Sequence, residues 1–222
     1  MTGQTPEDGL SVIRKAYLEA LRQGSGRQAD QVVEHSLDQG VTANQLYMDV
    51  FQPTAYEIGR LWQRNLFTVA QEHLATAIIE RQMGQLHTFF RPKASRNRTL
   101  VLGSVAQELH RVGVRMVADF FEQDGWTVYY LGATTPASSF VGLARDVHAD
   151  LIGVSVQMVF HLTQINEVMH ELSQQGLGGL PVIVGGMPFV QQSELYRSFN
   201  VRSSATNAEL AVAQANEIFL EE

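Results

Sequence analysis

A glutamate and a histidine follow the short β-rich run 99–103 and are separated by a single residue. A neutral imidazole can bind a metal through one ring nitrogen while the other nitrogen donates a hydrogen bond to a carboxylate. His110 is therefore a candidate metal ligand, and Glu108 is a candidate partner. Gly113, close behind them, would let a ligand approach the backbone. By itself, a lone histidine at such a position is more often a surface or structural residue.

Small and polar residues follow two later β-rich runs. Ser155 and Gln157 come at the end of the run 151–155, and Gly185 and Gly186 end the next one. Because the carboxyl ends of parallel strands meet at one edge of a sheet, we expect these residues near His110. Read alone, the glycines are ordinary turn residues.

Together these three motifs resemble the cobalamin-binding domain of methionine synthase, corrinoid methyltransferase carriers and coenzyme-dependent mutases. That family carries Asp-x-His-x-x-Gly, Ser-x-Leu and Gly-Gly at similar spacing, and the resemblance covers about residues 99–200. It implies that His110 is the lower axial ligand of cobalt and that Glu108 is its partner. It also implies a slot for the nucleotide tail of the cofactor, lined by Gly113, Ser155, Gly185 and Gly186. Glu108 stands where the family has Asp, and Gln157 replaces Leu and puts an amide near the corrin.

A second set of residues lies in the helical half of the chain. Trp62 is followed at fixed spacing by Glu72 and His73; on chemistry alone this is a core tryptophan beside a solvated polar pair. The set resembles the cap of light-sensing cobalamin regulators of the CarH type, where these groups cover the upper face of adenosylcobalamin. That branch also tends to carry Glu before the axial His. Since Gln63 follows the tryptophan, a second histidine ligand after photolysis would have to be His73 or His161.

The elements that position these residues fall into two groups. Helical patterns without a convincing strand predict an N-terminal bundle of four or five helices over 1–91, opened by an N-cap at Thr5 and broken or kinked near Pro53. The basic, proline-containing segment 92–98 is predicted as a linker. Over 99–222, β-rich runs alternate with amphipathic helices, which predicts a Rossmann-like doubly wound parallel sheet. The predicted strands are 99–103, 127–132, 151–155, 181–186 and a weaker 201–203, with a last helix at about 206–222.

Charge and composition exclude several classes of protein. The net charge is −7 and lysines and arginines are scattered, which argues against direct nucleic-acid binding. Neither a signal peptide nor a long apolar stretch occurs, so we expect a cytoplasmic protein without a membrane partner. Cysteine is absent, which excludes disulfides, cysteine-held metal clusters and a thioether-attached chromophore.

Three hypotheses for the function remain open at this point. The leading one is a non-enzymatic light sensor: photolysis of the Co–C bond of adenosylcobalamin would change bundle packing or assembly. The bundle begins the sequence, so we expect such a sensor to signal through a homo-oligomer, a downstream protein partner or a fused partner that this sequence does not include. Resemblance to photocobilins adds a bilin, which would bind noncovalently. The alternative is a corrinoid methyl carrier serving a methyltransferase system, and a cobalamin storage or transport module is the third.

Overall fold

Two compact units make up the chain, Met1–Phe90 and Arg91–Glu222. The computed structural model describes residues 6–220, with side chains described from residue 9 onward. The N-cap predicted at Thr5 and the last two residues of the predicted C-terminal helix lie outside that part of the chain. Among the described residues, no helix combines the length and the apolar character needed to cross a membrane.

The first unit is a helical bundle. Its helices are α1 Pro6–Arg22, α2 Gly26–Asp38, α3 Ala43–Gln45, α4 Gln52–Gln63 and α5 Val69–Leu86. Side-chain capping boxes start two of them, at Thr42 for α3 and at Thr68 for α5. A π-helical segment, Leu46–Phe51, joins α3 to α4. The break or kink predicted near Pro53 corresponds to this segment, which ends at Phe51, two residues before the proline in the first turn of α4.

Aromatic residues of the π-helical segment form the centre of the bundle core. Phe51 stacks on Tyr17 of α1 with ring centroids 5.0 Å apart. Tyr47 donates a hydrogen bond from its hydroxyl to the backbone oxygen of Met83 in α5, at 3.0 Å. Because all these side chains are fully buried or nearly so, the segment ties α1 and α5 together.

The second unit is a five-stranded parallel sheet with helices on both faces. Its strands are β1 Thr99–Ser104, β2 Thr127–Tyr130, β3 Leu151–Ser155, β4 Val182–Gly185 and β5 Ser203–Ala205, in the order β2-β1-β3-β4-β5. The helices are α6 Val112–Gln123, α7 Ala137–Asp146, α8 Thr163–Gln174, α9 Met187–Gln191 and α10 Ala208–Ile218. This architecture confirms the predicted helical bundle followed by a Rossmann-like sheet.

The strand order decides where a ligand can bind. α7 and α8 pack their apolar side chains on one face of the sheet, and α6 and α10 pack on the other. From β1 the chain runs to β2 on one side, and it then returns past β1 to β3 on the other side. The direction of the connections reverses there, so the crevice at the carboxyl ends of β1 and β3 is the topological switch point. The loops after these two strands carry the Glu108 and Gln157 motifs.

Some boundaries differ from those predicted. The fifth strand is Ser203–Ala205 and begins at the last residue of the predicted run 201–203. Arg202 donates its backbone N–H to the oxygen of Val182 at 2.8 Å, which aligns the chain as it enters the strand. The strand therefore forms through pairing with β4 and not through an apolar run of its own.

The segment 92–98, predicted as a linker, is bonded to the turn between α6 and β2. The backbone N–H groups of Lys93 and Arg96 donate to the oxygens of Gln123 and Gly125, at 2.8 and 2.9 Å. The side chains of Lys93 and Arg96 also pair with the carboxylate of Asp124, at 2.7 and 2.6 Å. The segment is thus attached to the second unit.

Candidate functional site

The carboxylate of Glu108 receives five hydrogen bonds from two loops. Its Oε1 accepts from Nδ1 of His110 at 2.5 Å and from the backbone N–H of His110 at 3.2 Å. Its Oε2 accepts from the backbone N–H groups of Gln157 and Met158, at 2.9 and 3.0 Å, and from Nδ1 of His161 at 3.1 Å. The loop after β1 and the loop after β3 therefore meet on one side chain.

These contacts keep Glu108 ionised. Burial of its side chain, which is 0% exposed, disfavours the charged form, but hydrogen bonds from His110, His161 and the Met158 backbone outweigh it and lower the pKa of Glu108 to about 2. An ionised carboxylate can only accept hydrogen bonds, so Nδ1 of each imidazole carries a proton. Metal binding by His110 would then fall to Nε2, on a side chain that is 50% exposed.

The backbone of the loop after β1 is shaped to present this pair. Ser104, the buried last residue of β1, donates its hydroxyl to the backbone oxygen of His110 at 2.9 Å. Gln107 adopts a φ of 65°, a conformation that side-chain-bearing residues rarely take. The backbone oxygen of Glu108 accepts from the N–H of Thr134 at 3.0 Å. The loop thus reverses within a few residues and turns the Glu108 side chain inward.

The remaining predicted residues of the second unit line the same edge of the sheet. Ser155 and Gly185 are register partners at the ends of β3 and β4. Gly186 has a φ of 113°, and a Cβ there would lie 1.9 Å from the oxygen of Val156, so only glycine fits. Gln157 accepts the backbone N–H of Met187 with its side-chain oxygen at 3.2 Å, which links the third and fourth strand loops.

Gly113 differs from the glycines of the fourth strand. It is the second residue of α6, and a Cβ built on it would meet no protein atom within 4 Å. Nothing in the fold of the described chain therefore requires glycine at this position. The space beside it is open to a ligand.

The residues predicted to form the cap lie in the first unit. Trp62 is next to the last residue of α4 and is 38% exposed. Nδ1 of His73 bonds to the Glu72 carboxylate at 2.6 Å, and Thr76 donates its hydroxyl to the same carboxylate at 2.9 Å. The side chain of His73 is 73% exposed. This part of the bundle presents to solvent a tryptophan and a histidine that is hydrogen-bonded to a carboxylate.

One residue of the site was missed by sequence reasoning. His161 was considered only as a second cobalt ligand, whereas in the structure its Nδ1 contacts Glu108, the partner of the first candidate ligand. No local motif marks it, because the contact depends on β1 lying beside β3. The contact could be predicted only once both loops are known to lie at the switch point, where side chains of the loop after β3 can reach the buried carboxylate.

Comparison with known families decides which kind of cofactor the chain binds. Residues 98–213 match a family model described as a B12 binding domain, and residues 13–87 match a second model with the same description. The chain belongs to the B12-binding family. Its cofactor is therefore a corrinoid, as the motif at Glu108 and His110 predicts.

Individual relatives of this B12-binding chain carry out different tasks. It is 33% identical to dimethylamine corrinoid protein 2 of Methanosarcina mazei over 122 aligned residues. The aligned region covers 54% of this chain and 56% of that protein. It is 27% identical over 142 residues to the HTH-type transcriptional repressor CarA of Myxococcus xanthus, which covers 64% and 49%. The chain spans about half the length of these curated relatives.

A solved structure shows the same architecture. The monomethylamine corrinoid protein of Methanosarcina barkeri superposes with a TM-score of 0.83 at 18% identity, over 94% of this chain and 99% of that one. At this identity the likeness establishes the fold alone. These comparisons support a corrinoid-binding protein and do not single out the CarH-type branch.

Proposed function

We propose that the chain is a corrinoid methyl carrier in which Nε2 of His110 is the lower axial ligand of cobalt. Glu108 holds the imidazole ring of His110 in place. The observation that carries the proposal is the buried carboxylate at the switch point, which fixes the imidazole through Nδ1 at 2.5 Å. A partner of this kind sets both the tautomer and the orientation of a ligand histidine. The half exposure of His110 leaves its ring accessible to a large planar group.

The tail of the corrinoid would enter between α6 and the ends of β3 and β4. The open space beside Gly113 supports this path, because a Cβ there would project into it. The small residues that would line the tail are Gly113, Ser155, Gly185 and Gly186. Gln157 is bonded to the backbone of α9, so its role would be to hold the slot in shape.

A carrier is favoured over the other functions because the relatives named above include corrinoid proteins for methylated amines. The chain itself is not an enzyme; its residues bind and orient the cofactor and keep the ligand histidine in one tautomer. A bound corrinoid supplies a cobalt that accepts and releases a methyl group. The partners would be methyltransferases, and dimethylamine is the first methyl source to test.

The carrier proposal is tested by methyl transfer. The full chain, loaded with hydroxocobalamin and reduced, is incubated with a dimethylamine-specific methyltransferase and radiolabelled dimethylamine. We expect label to co-elute with the chain in size-exclusion chromatography, and we expect His110→Ala to lose most of it. Monomethylamine, trimethylamine and methanol, each with its own methyltransferase, extend the test. Absence of label from all four donors, with free cobalamin labelled alongside, would contradict the proposal.

Light sensing is a second candidate, supported by the similarity to the repressor CarA, by the exposed Trp62 and by the Glu72–His73 pair in α5. In that case the cofactor would be adenosylcobalamin, with or without a noncovalent bilin, and the cap residues would cover it. The output would be a change of homo-oligomer or partner. Green light on the adenosylcobalamin-loaded chain should then alter its elution volume, and Trp62→Ala should weaken the response. A carrier shows no change of size.

A further inference from the structure

A cavity lies at the edge of the sheet opposite the one that carries Glu108 and His110. Its volume is about 520 Å³, and it is lined by the segment 92–98, the turn between α6 and β2 and the end of α10. β1 and β2 both start at this edge, where Thr99 pairs with Thr127. Because β1 is 6 residues long, the two edges are separated by roughly 20 Å. A ligand in this cavity would therefore leave the corrinoid site free.

Two exposed cations at the cavity share one buried carboxylate. Nζ of Lys93 bonds to one oxygen of Asp124 at 2.7 Å, and Nε of Arg96 bonds to the other at 2.6 Å. Asn216 donates its side-chain N–H to that second oxygen at 2.8 Å. Since two positive charges meet one negative charge, one positive charge is left over at the wall of the cavity.

These two cations also keep hydrogen-bond donors for a ligand. Within the described chain, Asp124 is the only acceptor for the side chain of Arg96, and Nε makes both of the bonds. The two Nη groups remain, and an arginine fork binds phosphate or carboxylate through parallel N–H bonds. Lys93 adds a compact charge whose other N–H groups are free to rotate toward the same anion. A phosphate group offers three acceptor oxygens to such a pair, whereas a carboxylate offers two.

Apolar side chains form another part of the wall. Phe219 lies under the guanidinium of Arg98, which is 4.3 Å from the ring centroid and is ion-paired with Asp150 at 2.9 Å. Trp126 packs against Phe219 with ring centroids 5.7 Å apart. Leu220, next in the chain, is 81% exposed. The cavity thus has a cationic side and an apolar side.

We propose that this cavity binds a small organic phosphate, with the phosphate group on Lys93 and Arg96 and its apolar body on Phe219 and Leu220. The volume suits such a ligand, since small-molecule sites usually measure about 300–1,000 Å³. Inorganic phosphate would leave the apolar side uncovered. The site is independent of the carrier function and of cobalt ligation by His110, so it can fail while both of them stand.

Calorimetric titration with phenyl phosphate tests the site. The full chain is first loaded with cyanocobalamin, which fills the proposed tail slot and prevents phosphate from binding there. We expect saturable binding that is about 10-fold tighter than that of inorganic phosphate, because the phenyl ring buries apolar surface. Benzyl alcohol, which has no charge, should not bind. Equal affinity for benzoate, or no saturation by phenyl phosphate up to about 10 mM, overturns the inference.

Substitution of the two cations locates the phosphate group. Lys93→Gln and Arg96→Gln should each weaken binding of phenyl phosphate about 3- to 10-fold, the range expected for charged bonds at a partly exposed site. Arg96→Lys keeps the charge but lacks the fork, so it should recover only part of the loss. Arg197→Gln, an exposed arginine paired with Glu194, is the matched control and should bind like the wild type.

Lys93→Gln keeps this test valid if the Arg96 variants disturb the fold, because the side chain of Lys93 is 67% exposed. Wild-type affinity in both Lys93→Gln and Arg96→Gln overturns the proposed location.

The indole of Trp126 reports directly on the cavity. Its Nε1–H donates to the side-chain oxygen of Asn216 at 3.1 Å, and the chain has only one other tryptophan, Trp62. In nitrogen-15 NMR of the loaded chain, phenyl phosphate should shift the Trp126 indole resonance and leave that of Trp62 in place. Trp62→Phe assigns the two resonances. A shift of the Trp62 resonance alone would place the ligand on the bundle and overturn the inference.

Discussion

At the scale of single residues, Glu108 is the point on which both the local fold and the proposed chemistry depend. It is a fully buried carboxylate, and the backbone N–H groups of Gln157 and Met158 have it as their acceptor. Burying a charge is costly unless hydrogen bonds compensate it. The five donors provide that compensation. In return, the carboxylate is the acceptor for N–H groups that would otherwise be buried without a hydrogen-bond partner.

Replacement of this carboxylate should affect stability as well as binding. Glu108→Ala leaves its donors without an acceptor, so we expect the free energy of unfolding of the cofactor-free chain to fall by about 2–4 kcal/mol. Affinity for cobalamin should fall about 10- to 100-fold. Urea unfolding and equilibrium dialysis measure the two effects. Asp146→Ala, an exposed ion-pair position, should change stability by no more than about 0.5 kcal/mol. Equal losses in the two variants would show that Glu108 has no special role.

The Glu108–His110 contact could be predicted from the sequence and the His161 contact could not. Glu108 and His110 are two positions apart in one loop, and a carboxylate and an imidazole at that spacing can form a hydrogen bond. His161 belongs to the loop after β3, and it reaches Glu108 only because β3 lies beside β1 in the sheet. Periodicity predicts that strands exist, whereas the order of strands is decided by packing across the whole unit.

At the scale of elements, two glycines at the site have opposite reasons for being glycine. Gly186 is dictated by the fold, because its φ of 113° and the nearby oxygen of Val156 exclude a side chain. Gly113 sits in the first turn of α6 with open space beside it. If the corrinoid tail occupies that space, the requirement for glycine at 113 comes from the ligand and not from the protein.

Alanine at each position separates these causes. We expect Gly113→Ala to leave the stability of the cofactor-free chain unchanged or raise it by up to about 1 kcal/mol, because alanine favours a helix over glycine. Its cobalamin affinity should nevertheless fall about 10-fold or more. Gly186→Ala should lower stability by about 3 kcal/mol or more. Urea unfolding and cobalamin titration report both quantities. Wild-type affinity in Gly113→Ala would exclude the proposed tail path.

Element prediction succeeded where apolar residues define the element and failed where pairing does. The first four strands are apolar runs and were predicted within a few residues of their observed ends. Two of the three residues of β5 are serines, Ser203 and Ser204, and they become a strand by pairing with β4. The π-helical segment Leu46–Phe51 was predicted only as a break near Pro53, because over one turn its apolar spacing resembles that of an α-helix.

At the scale of the whole molecule, the chain is two units whose sequences show different periodicities, and this contrast made the fold class predictable. The segment 92–98 is polar, basic and contains proline, the composition of a linker. Its bonds to Asp124 cannot be read from the sequence, because Asp124 is distant along the chain and its neighbours do not mark it as buried. The side chain of Asp124 is 6% exposed and also accepts a hydrogen bond from Asn216 of α10 at 2.8 Å. One carboxylate thus joins the segment, the end of α6 and the last helix.

Asp124 should make the stability of the second unit depend on pH. Burial disfavours its charged form, but bonds from Arg96, Lys93 and Asn216 outweigh burial and hold the pKa of Asp124 below its ordinary 3.8. A depressed folded-state pKa gives stability that is complete above 3.8 and is lost as the pH falls through the folded value. Because Lys93 and Arg96 are themselves exposed, we expect Asp124→Asn to cost only about 1–2 kcal/mol at neutral pH.

The difference between wild type and Asp124→Asn, measured by urea unfolding at about pH 7, 4.5 and 3, should therefore shrink toward zero at the lowest pH. Taking the difference removes the titration of the other carboxylates, which both proteins share. Asp146→Asn, an exposed position, should differ little from wild type at every pH. A difference for Asp124→Asn that stays constant from neutral to acid would mean that its contribution comes from shape and hydrogen bonding, and not from the ionised carboxylate.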